Sequence, residues 1–403
     1  MSLLSGKNIL LGISAGIAAY KTASLVRLFI KSGANVKVVM TPSSKDFITP
    51  LTLSTLSKNP VYSSFTNEED DNAVWNNHVD LGLWADYFII APATANTLSK
   101  MANGTCDNLL LATYLSAKCP VYFAPAMDLD MYKHESTFNS FEALKGYGNI
   151  MIPATSGELA SGLVGEGRMA EPEDIVSFIE DDILEKLPLR GKRVLITAGP
   201  TYEAIDPVRF IGNHSSGKMG FEIAKASANL GAEVFLVTGP THQKVSHKLI
   251  AILPVVNAQE MYEETHKHFS NVDVAILSAA VADFRPKEVA SQKIKKNKTT
   301  LTLELEKTED ILASLGSLKK HQYLVGFALE TNNEIENAKG KLKKKNLNLI
   351  VLNSLNDKGA GFKTNTNKVT FINDKYDITT FDLKTKTEVA QDLLNYILKY
   401  IHA

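Results

Sequence analysis

Apolar runs of strand length alternate along this chain with stretches whose apolar positions recur every three to four residues. KNILLGI (7–13) is apolar almost throughout, as a strand buried on both faces of a parallel sheet must be. GIAAYKTASLVRLFIKSG (16–33) carries helical spacing and closes at Gly33, and VKVVM (36–40) reads as the next strand. The plan returns at 192–238 as KRVLITAG, GKMGFEIAKASANLG and AEVFLVTG, and even the helix exits agree, SGANVKVV against LGAEVFLV. A helix between two parallel strands is the right-handed crossover unit of open α/β sheets. Similar strands follow in each half: YFIIAP and VYFAPAM in the first, VAILSAA, YLVGFAL and LNLIVLN in the second. The pattern predicts an α/β chain of two Rossmann-like domains, each an open, mainly parallel sheet flanked by helices. EPEDIVSFIEDDILEKL reads as a closing helix and PLRG (188–191) as a linker, so the domains are expected at 1–189 and 190–403.

Composition agrees with that reading. At 403 residues the chain is longer than one hydrophobic core usually serves. Its 43 Lys+Arg against 44 Asp+Glu suggest neither general nucleic-acid affinity nor membrane-surface binding. No apolar run approaches bilayer length and the N-terminus lacks a signal peptide's apolar core, so a cytoplasmic protein is expected. Cys106 and Cys119 cannot build a disulfide framework and sit in no metal-ligand spacing.

The stretch GNHSSGKMG (212–220) reproduces the G-x-x-x-x-G-K of a phosphate-cradling P-loop, but Met219 stands where Ser or Thr should hold Mg²⁺. A thioether is a poor ligand for a hard cation. About a dozen residues, Pro200 and Pro207 among them, also separate the strand from Gly212, whereas a P-loop follows its strand directly. A P-loop ATPase is therefore not expected. The glycines and serines still suit an anion at the start of a helix expected near Ser216.

In open α/β sheets ligands bind at the carboxyl ends of the strands. There the first half places GISAGIAAYK (12–21), with a hydroxyl and small residues at a strand-to-helix turn, and APATANTLSKMANGTCDNLL (91–110), with Thr94, Asn96, Asp107 and Asn108. PAMDLDMY (125–132) follows the next strand, and His78 precedes YFIIAP.

His78, PATANT (92–97) and PAMDLDM (125–131) resemble the homo-oligomeric flavin-containing cysteine decarboxylases, which share a catalytic His, a PASANT-like motif and a P-x-M-N-x-x-M segment. The second half resembles the CTP-dependent ligase family through NHSSGKMG (213–220), AAVADFRP (279–286), KIKK (293–296), TEDI (308–311), GFALET (326–331), Lys341 and Lys345. Together they cover essentially the whole chain, as in the fused decarboxylase–ligase family of bacterial coenzyme A synthesis. The resemblance implies ligation of 4′-phosphopantothenate with cysteine through an acyl-cytidylate, with Mg²⁺. It then implies FMN-dependent decarboxylation of phosphopantothenoylcysteine to 4′-phosphopantetheine, the flavin giving the departing electron pair a sink.

The resemblance assigns Ser14, Gly16, Ile17, Thr41, Thr94, Asn96, Asp107 and Asn108 to FMN, Asp128 and Met131 to substrate, and His78 and Ser161 to catalysis. In the ligase, Asn213 would polarise the mixed anhydride and Lys293 would be the principal phosphate contact, with Lys341 and Lys345 in support. Asp283 would bind the nucleotide or its Mg²⁺ and Phe327 would lie against the cytidine; Ser215, Ser216, Ser278, Thr308, Glu309, Asp310 and Ile311 complete the CTP set. The family further implies trimeric decarboxylase and dimeric ligase units, joined into an assembly as large as a dodecamer. Three positions depart from the pattern: Asp128 replaces the substrate-binding Asn, Ser161 the proton-donating Cys, and TEDI the usual Asn-Pro-Asp-Ile. Ser161 leaves an alternative open, in which the ligase works but the first half is only an FMN-binding or impaired module.

Overall fold

The computed structural model describes residues 2–66, 75–295, 300–354 and 364–401. It divides into two compact units, Met1–Leu184 and Glu185–Ala403. In the first unit, β1 (Asn8–Ile13), β2 (Asn35–Met40), β3 (Val61–Tyr62), β4 (Tyr87–Ala93), β5 (Val121–Pro125) and β6 (Ile150–Met151) form one sheet in the order β3-β2-β1-β4-β5-β6. Every pairing in it is parallel. Central β1 shows why its sequence is apolar without alternation: Ile9, Leu11 and Ile13 enter the core on one face, and Leu10 enters a second core on the other. Each such fully buried side chain contributes about 1.5–3 kcal/mol. Strand order reverses between β1 and β4, which opens a crevice at their carboxyl ends.

The expected first helix divides into a 3₁₀ turn, Ile17–Lys21, and an α-helix, Thr22–Lys31. Tighter turns of this kind are common at helix starts. The helix ends as its sequence demands: Gly33 takes φ 84°, and Gly33 and Ala34 donate back to Ile30 and Phe29 at 3.0 and 3.1 Å.

The second unit's main sheet has eight strands, in the order Ile250–Pro254, Glu233–Thr238, Arg193–Ala198, Val274–Leu277, Tyr323–Glu330, Leu349–Ser354, Val369–Asn373 and Ile378–Thr380. The first six pair in parallel, and Val369–Asn373 pairs antiparallel with its neighbour on each side. Between the first strand and the first helix lies a shaped loop, as the prolines predicted, folded into an antiparallel ribbon of Tyr202–Ala204 with Phe210–Gly212. The helix begins at Lys218, slightly later than expected, because Gly217 is its N-cap with φ 76°. At Gly220 an added Cβ would lie 2.5 Å from Ala198 Cβ and 2.8 Å from Ser278 Oγ, so the helix start is pressed against the strand ends. Helix Lys386–Ile401 packs along helix Lys218–Asn229. Among the described residues no helix is long and apolar enough to cross a membrane.

Candidate active sites

The strand ends of the first unit surround a cavity of about 930 Å³, within the usual range for a small-molecule site. Gly16 and Ile17 reach it from β1, Thr41 from β2, Thr94 and Asn96 from β4. Asp107 and Asn108 line it at the entry to helix Leu109–Ser116, and Asp128 and Met131 line it beyond β5. Ser14 lies beneath: its hydroxyl donates to Pro92 O at 2.6 Å and accepts from Thr94 N at 3.0 Å, stitching β1 to β4. Thr41 Oγ1 is buried and has no hydrogen-bond partner, a cost that a bound polar group would remove. Helix Ala95–Ala102 starts at this wall, and its N-cap Thr94 gives no side-chain hydrogen bond to the first amides. Asn108 is committed locally, as the cap accepting from Leu111 N at 3.1 Å. Asp107 pairs with Lys100 at 2.5 Å, and the hydrogen bond from that ammonium holds its carboxyl below the usual range.

An antiparallel hairpin, Thr155–Glu158 with Val164–Arg168, covers one side. Met127 N donates to Gly167 O at 3.0 Å, so the hairpin is fastened to the PAMDLDM segment. Two of the three departures from the family pattern thereby meet: Ser161 Oγ donates to Asp128 Oδ1 at 3.0 Å. Leu129 N donates to the same oxygen at 2.7 Å, while Oδ2 has no hydrogen bond or ion pair among the described residues. Below them Lys21, 6% exposed, donates to Met169 O and Glu171 Oε1 at 3.0 and 2.9 Å.

His78 is not brought to this cavity. It opens helix His78–Trp84, edge-on to Phe65 at 6.2 Å, with Nδ1 buried and without a hydrogen bond. The same helix exposes Val79 and Leu83.

In the second unit Ser215, Ser216, Ser278 and Phe327 line a smaller cavity of about 150 Å³. With them are Lys218, Asn353, Asn367 and Lys386, which motif reading left without a role. The other expected residues lie outside it. Asn213 donates its amide to Ala280 O and Val281 O at 3.0 and 3.1 Å. Asp283 is exposed; its carbonyl accepts from Thr308 N at 3.0 Å, and Thr308 Oγ1 donates to Ala282 O at 2.6 Å. Lys293 and Glu309 are exposed, and Lys296 of the KIKK run lies outside the described residues. Lys293 precedes Ile294, whose N donates to Asp206 Oδ2 at 3.1 Å and whose carbonyl accepts from Arg209 at 3.0 Å. Ile311 is buried in the core. Asp310 caps helix Ile311–Leu318 and pairs with Lys345 at 2.9 Å, and Lys341 pairs with Glu330 at 2.6 Å. Burial raises the Asp310 pKa, but bonding from Lys345 and Ala313 N outweighs it and the net shift is downward. Both lysines would have to exchange a carboxylate for a ligand.

The sequence profile of the family described as Flavoprotein matches residues 2–184, and that of the DNA/pantothenate metabolism flavoprotein C-terminal domain matches residues 189–401. A cysteine/cysteine sulfinic acid decarboxylase from an unknown prokaryotic organism is 55% identical over 360 residues, 88% of this chain and 100% of that protein. The coenzyme A biosynthesis bifunctional protein CoaBC of Bacillus subtilis (strain 168) is 44% identical over 397 residues, 98% of this chain and 97% of that one. The crystal structure of the C-terminal domain of a protein of that name is 45% identical to the part it matches, covering 54% of this chain and 99% of its own, with a TM-score of 0.47.

Proposed function

The chain belongs to the family of bifunctional coenzyme A biosynthesis proteins, and from that premise we propose two successive reactions. Its second unit joins 4′-phosphopantothenate to cysteine at the expense of CTP. Its first unit decarboxylates the resulting phosphopantothenoylcysteine to 4′-phosphopantetheine with FMN. The observation that carries the reading is the convergence of motif residues from four strand ends on one cavity.

The residues there fit a flavin mononucleotide. Thr41 Oγ1 awaits a partner, the uncapped first amides of helix Ala95–Ala102 suit its phosphate, and Ile17 and Met131 offer apolar contact to a ring. When bound, FMN supplies the two-electron exchange that side chains cannot. The chain's part is to bind, orient and move protons. Asp128 and Ser161, already hydrogen-bonded, form a proton path at the substrate end of the cavity. His78, outside its own chain's cavity, would serve a neighbouring copy, and the exposed Val79 and Leu83 beside it support a homo-oligomer.

In the second unit, transfer of CMP to the pantothenate carboxylate releases pyrophosphate, so negative charge must be neutralised as it shifts. Lys293, Lys341 and Lys345 supply cations for this. Mg²⁺ binds through one or two carboxylates plus substrate phosphates, so exposed Asp283 suffices on the protein side. The Asn213 amide then polarises the mixed anhydride while cysteine's amine attacks.

A second reading has its own support. The decarboxylase from the unknown prokaryote is named for free cysteine and cysteine sulfinic acid, and an amino acid carries an ammonium that the unpartnered Asp128 Oδ2 could receive. Giving the chain phosphopantothenoylcysteine and free cysteine separately, and identifying products by mass, decides between them. Phosphopantetheine alone supports the first reading and cysteamine alone the second. Neither product would sink the decarboxylase assignment.

A further inference from the structure

Asp206 has no task in the reactions above, yet its carboxylate is buried, the residue being only 2% exposed. A buried charge is costly unless its oxygens are bonded, and here both are. Oδ1 accepts from Val208 N and Arg209 N, each at 2.8 Å, within the turn that joins ribbon strands Tyr202–Ala204 and Phe210–Gly212. An Asp that bonds the backbone two residues on is a common turn device, and a local role would end there. Oδ2 reaches further along the chain. It accepts from Ile294 N at 3.1 Å and lies 3.4 Å from Arg209 Nη1. Arg209 Nη2 in turn donates to Ile294 O at 3.0 Å. One acid–base pair thus grips both polar groups of a single backbone residue, as a neighbouring strand would.

That residue directly follows Lys293. From Lys287 to Lys295 the chain forms neither helix nor strand, so no ladder of its own fixes it. Ala290 N donates to Ile205 O at 3.0 Å, a second tie to the same turn. Lys293 is exposed, and a long side chain on irregular backbone would otherwise range widely. The Asn213 amide is held separately, by Ala280 O and Val281 O, so the two stages of ligation hang on different supports.

We propose that Asp206 is a positioning residue for Lys293: with Arg209 it clamps the backbone of Ile294 and so fixes where the neighbouring ammonium meets the nucleotide phosphates. This rests on the ligase reading above. The clamp spends no charge on the substrate, because the Asp206 carboxylate is already satisfied by its own chain. Its contribution is placement, and a displacement of about 1 Å at a reacting group costs as much as a hundredfold in rate.

The test compares the full chain with Asp206→Asn. Asn keeps an oxygen to accept from Val208 N and Arg209 N, but turns an amide NH₂ toward Ile294 N and Arg209, donor against donor. Rapid-quench measurement with 4′-phosphopantothenate, CTP and Mg²⁺ should show acyl-cytidylate forming about tenfold to a hundredfold more slowly. Conversion of ready-made acyl-cytidylate by cysteine should hardly change. Hydrogen exchange at the Ile294 amide should be slow in the wild type and at least about tenfold faster in the variant. Asp206→Ser, whose hydroxyl can cap the turn but is too short to reach Ile294, should behave alike and serves if Asp206→Asn does not fold. Equal slowing of both stages, or of neither, in folded variants overturns the proposal. So does an Ile294 amide that exchanges equally fast in wild type and variant. A wild type that forms no acyl-cytidylate would instead sink the ligase reading and the task of Lys293 with it, while a difference in exchange would still show the clamp.

Discussion

Ser161 and Asp128 stand 3.0 Å apart where the family carries a thiol and an amide, so the proton route through this cavity can be tested one atom at a time. A serine hydroxyl is a far weaker acid than a thiol, whose reference pKa is about 8.5. If the proton that completes the product passes through Ser161, Ser161→Cys should speed the later half of the decarboxylation. Ser161→Ala should release an unsaturated thiol as side product. Bleaching of the flavin by substrate comes earlier and should hardly change in either, as stopped-flow absorbance would record. Ser161→Ala reaching phosphopantetheine at the wild-type rate without side product would make Ser161 a spacer. In the ligase, Asn213→Asp should let acyl-cytidylate build up and slow its conversion to amide, whereas Lys293→Gln should prevent its formation. Rapid-quench detection of the cytidylate distinguishes them, and the opposite pattern contradicts both roles. Most side chains around the first cavity were legible because motifs mark them. Lys386 was not: in DLKTKTEV it looks like any solvated lysine, yet it is buried at the wall of the second cavity.

The central strands were the easiest elements to read, since burial on both faces leaves an unbroken apolar run. The hairpin over the first cavity gave no such signal, because TSGE and VGEGR are mostly polar and glycine. Its place is set instead by a close approach: Gly167 has φ 135°, and a Cβ there would sit 2.5 Å from Met127 O. Gly167→Ala should therefore displace the hairpin, at a cost of about 1–3 kcal/mol. Thermal melting should show the loss, and decarboxylation should fall while ligation does not. An unchanged melting temperature would contradict the close approach. The strand Val369–Asn373 and its antiparallel neighbour also escaped the sequence reading, being short and partly polar at the sheet's edge. Under the cavity, Lys21 donates to Glu171 and that hydrogen bond, above all, holds the carboxyl below its usual value of 4.5. A depressed carboxyl pKa adds stability that is complete above about 4.5 and is lost as pH falls through the folded-state value. Melting temperature should thus decline on the acid side, and Glu171→Gln should lessen that slope. An equal slope in the variant would remove Glu171 from the account.

Each unit has its own cores, and the parallel sheets place each set of strand ends around its own cavity. A chain cut after Pro188 should therefore fold, turn yellow with added FMN and melt cooperatively; absence of flavin absorbance would contradict the assignment of cofactor to the first unit. The repeated strand–helix–strand plan made the two sheets legible, because its spacing recurs with matching helix exits. The position of His78 was not legible, since it carries the motif but lies outside its own chain's cavity. The central claim is that one chain performs both reactions in order. It is tested most directly by incubating the purified full-length protein with 4′-phosphopantothenate, cysteine, CTP and Mg²⁺ and following products by mass over time. The account predicts transient phosphopantothenoylcysteine, then 4′-phosphopantetheine, with CMP and pyrophosphate equal to the amide formed. Phosphopantothenoylcysteine that accumulates without decarboxylation, or no CTP-dependent product at all, would contradict it.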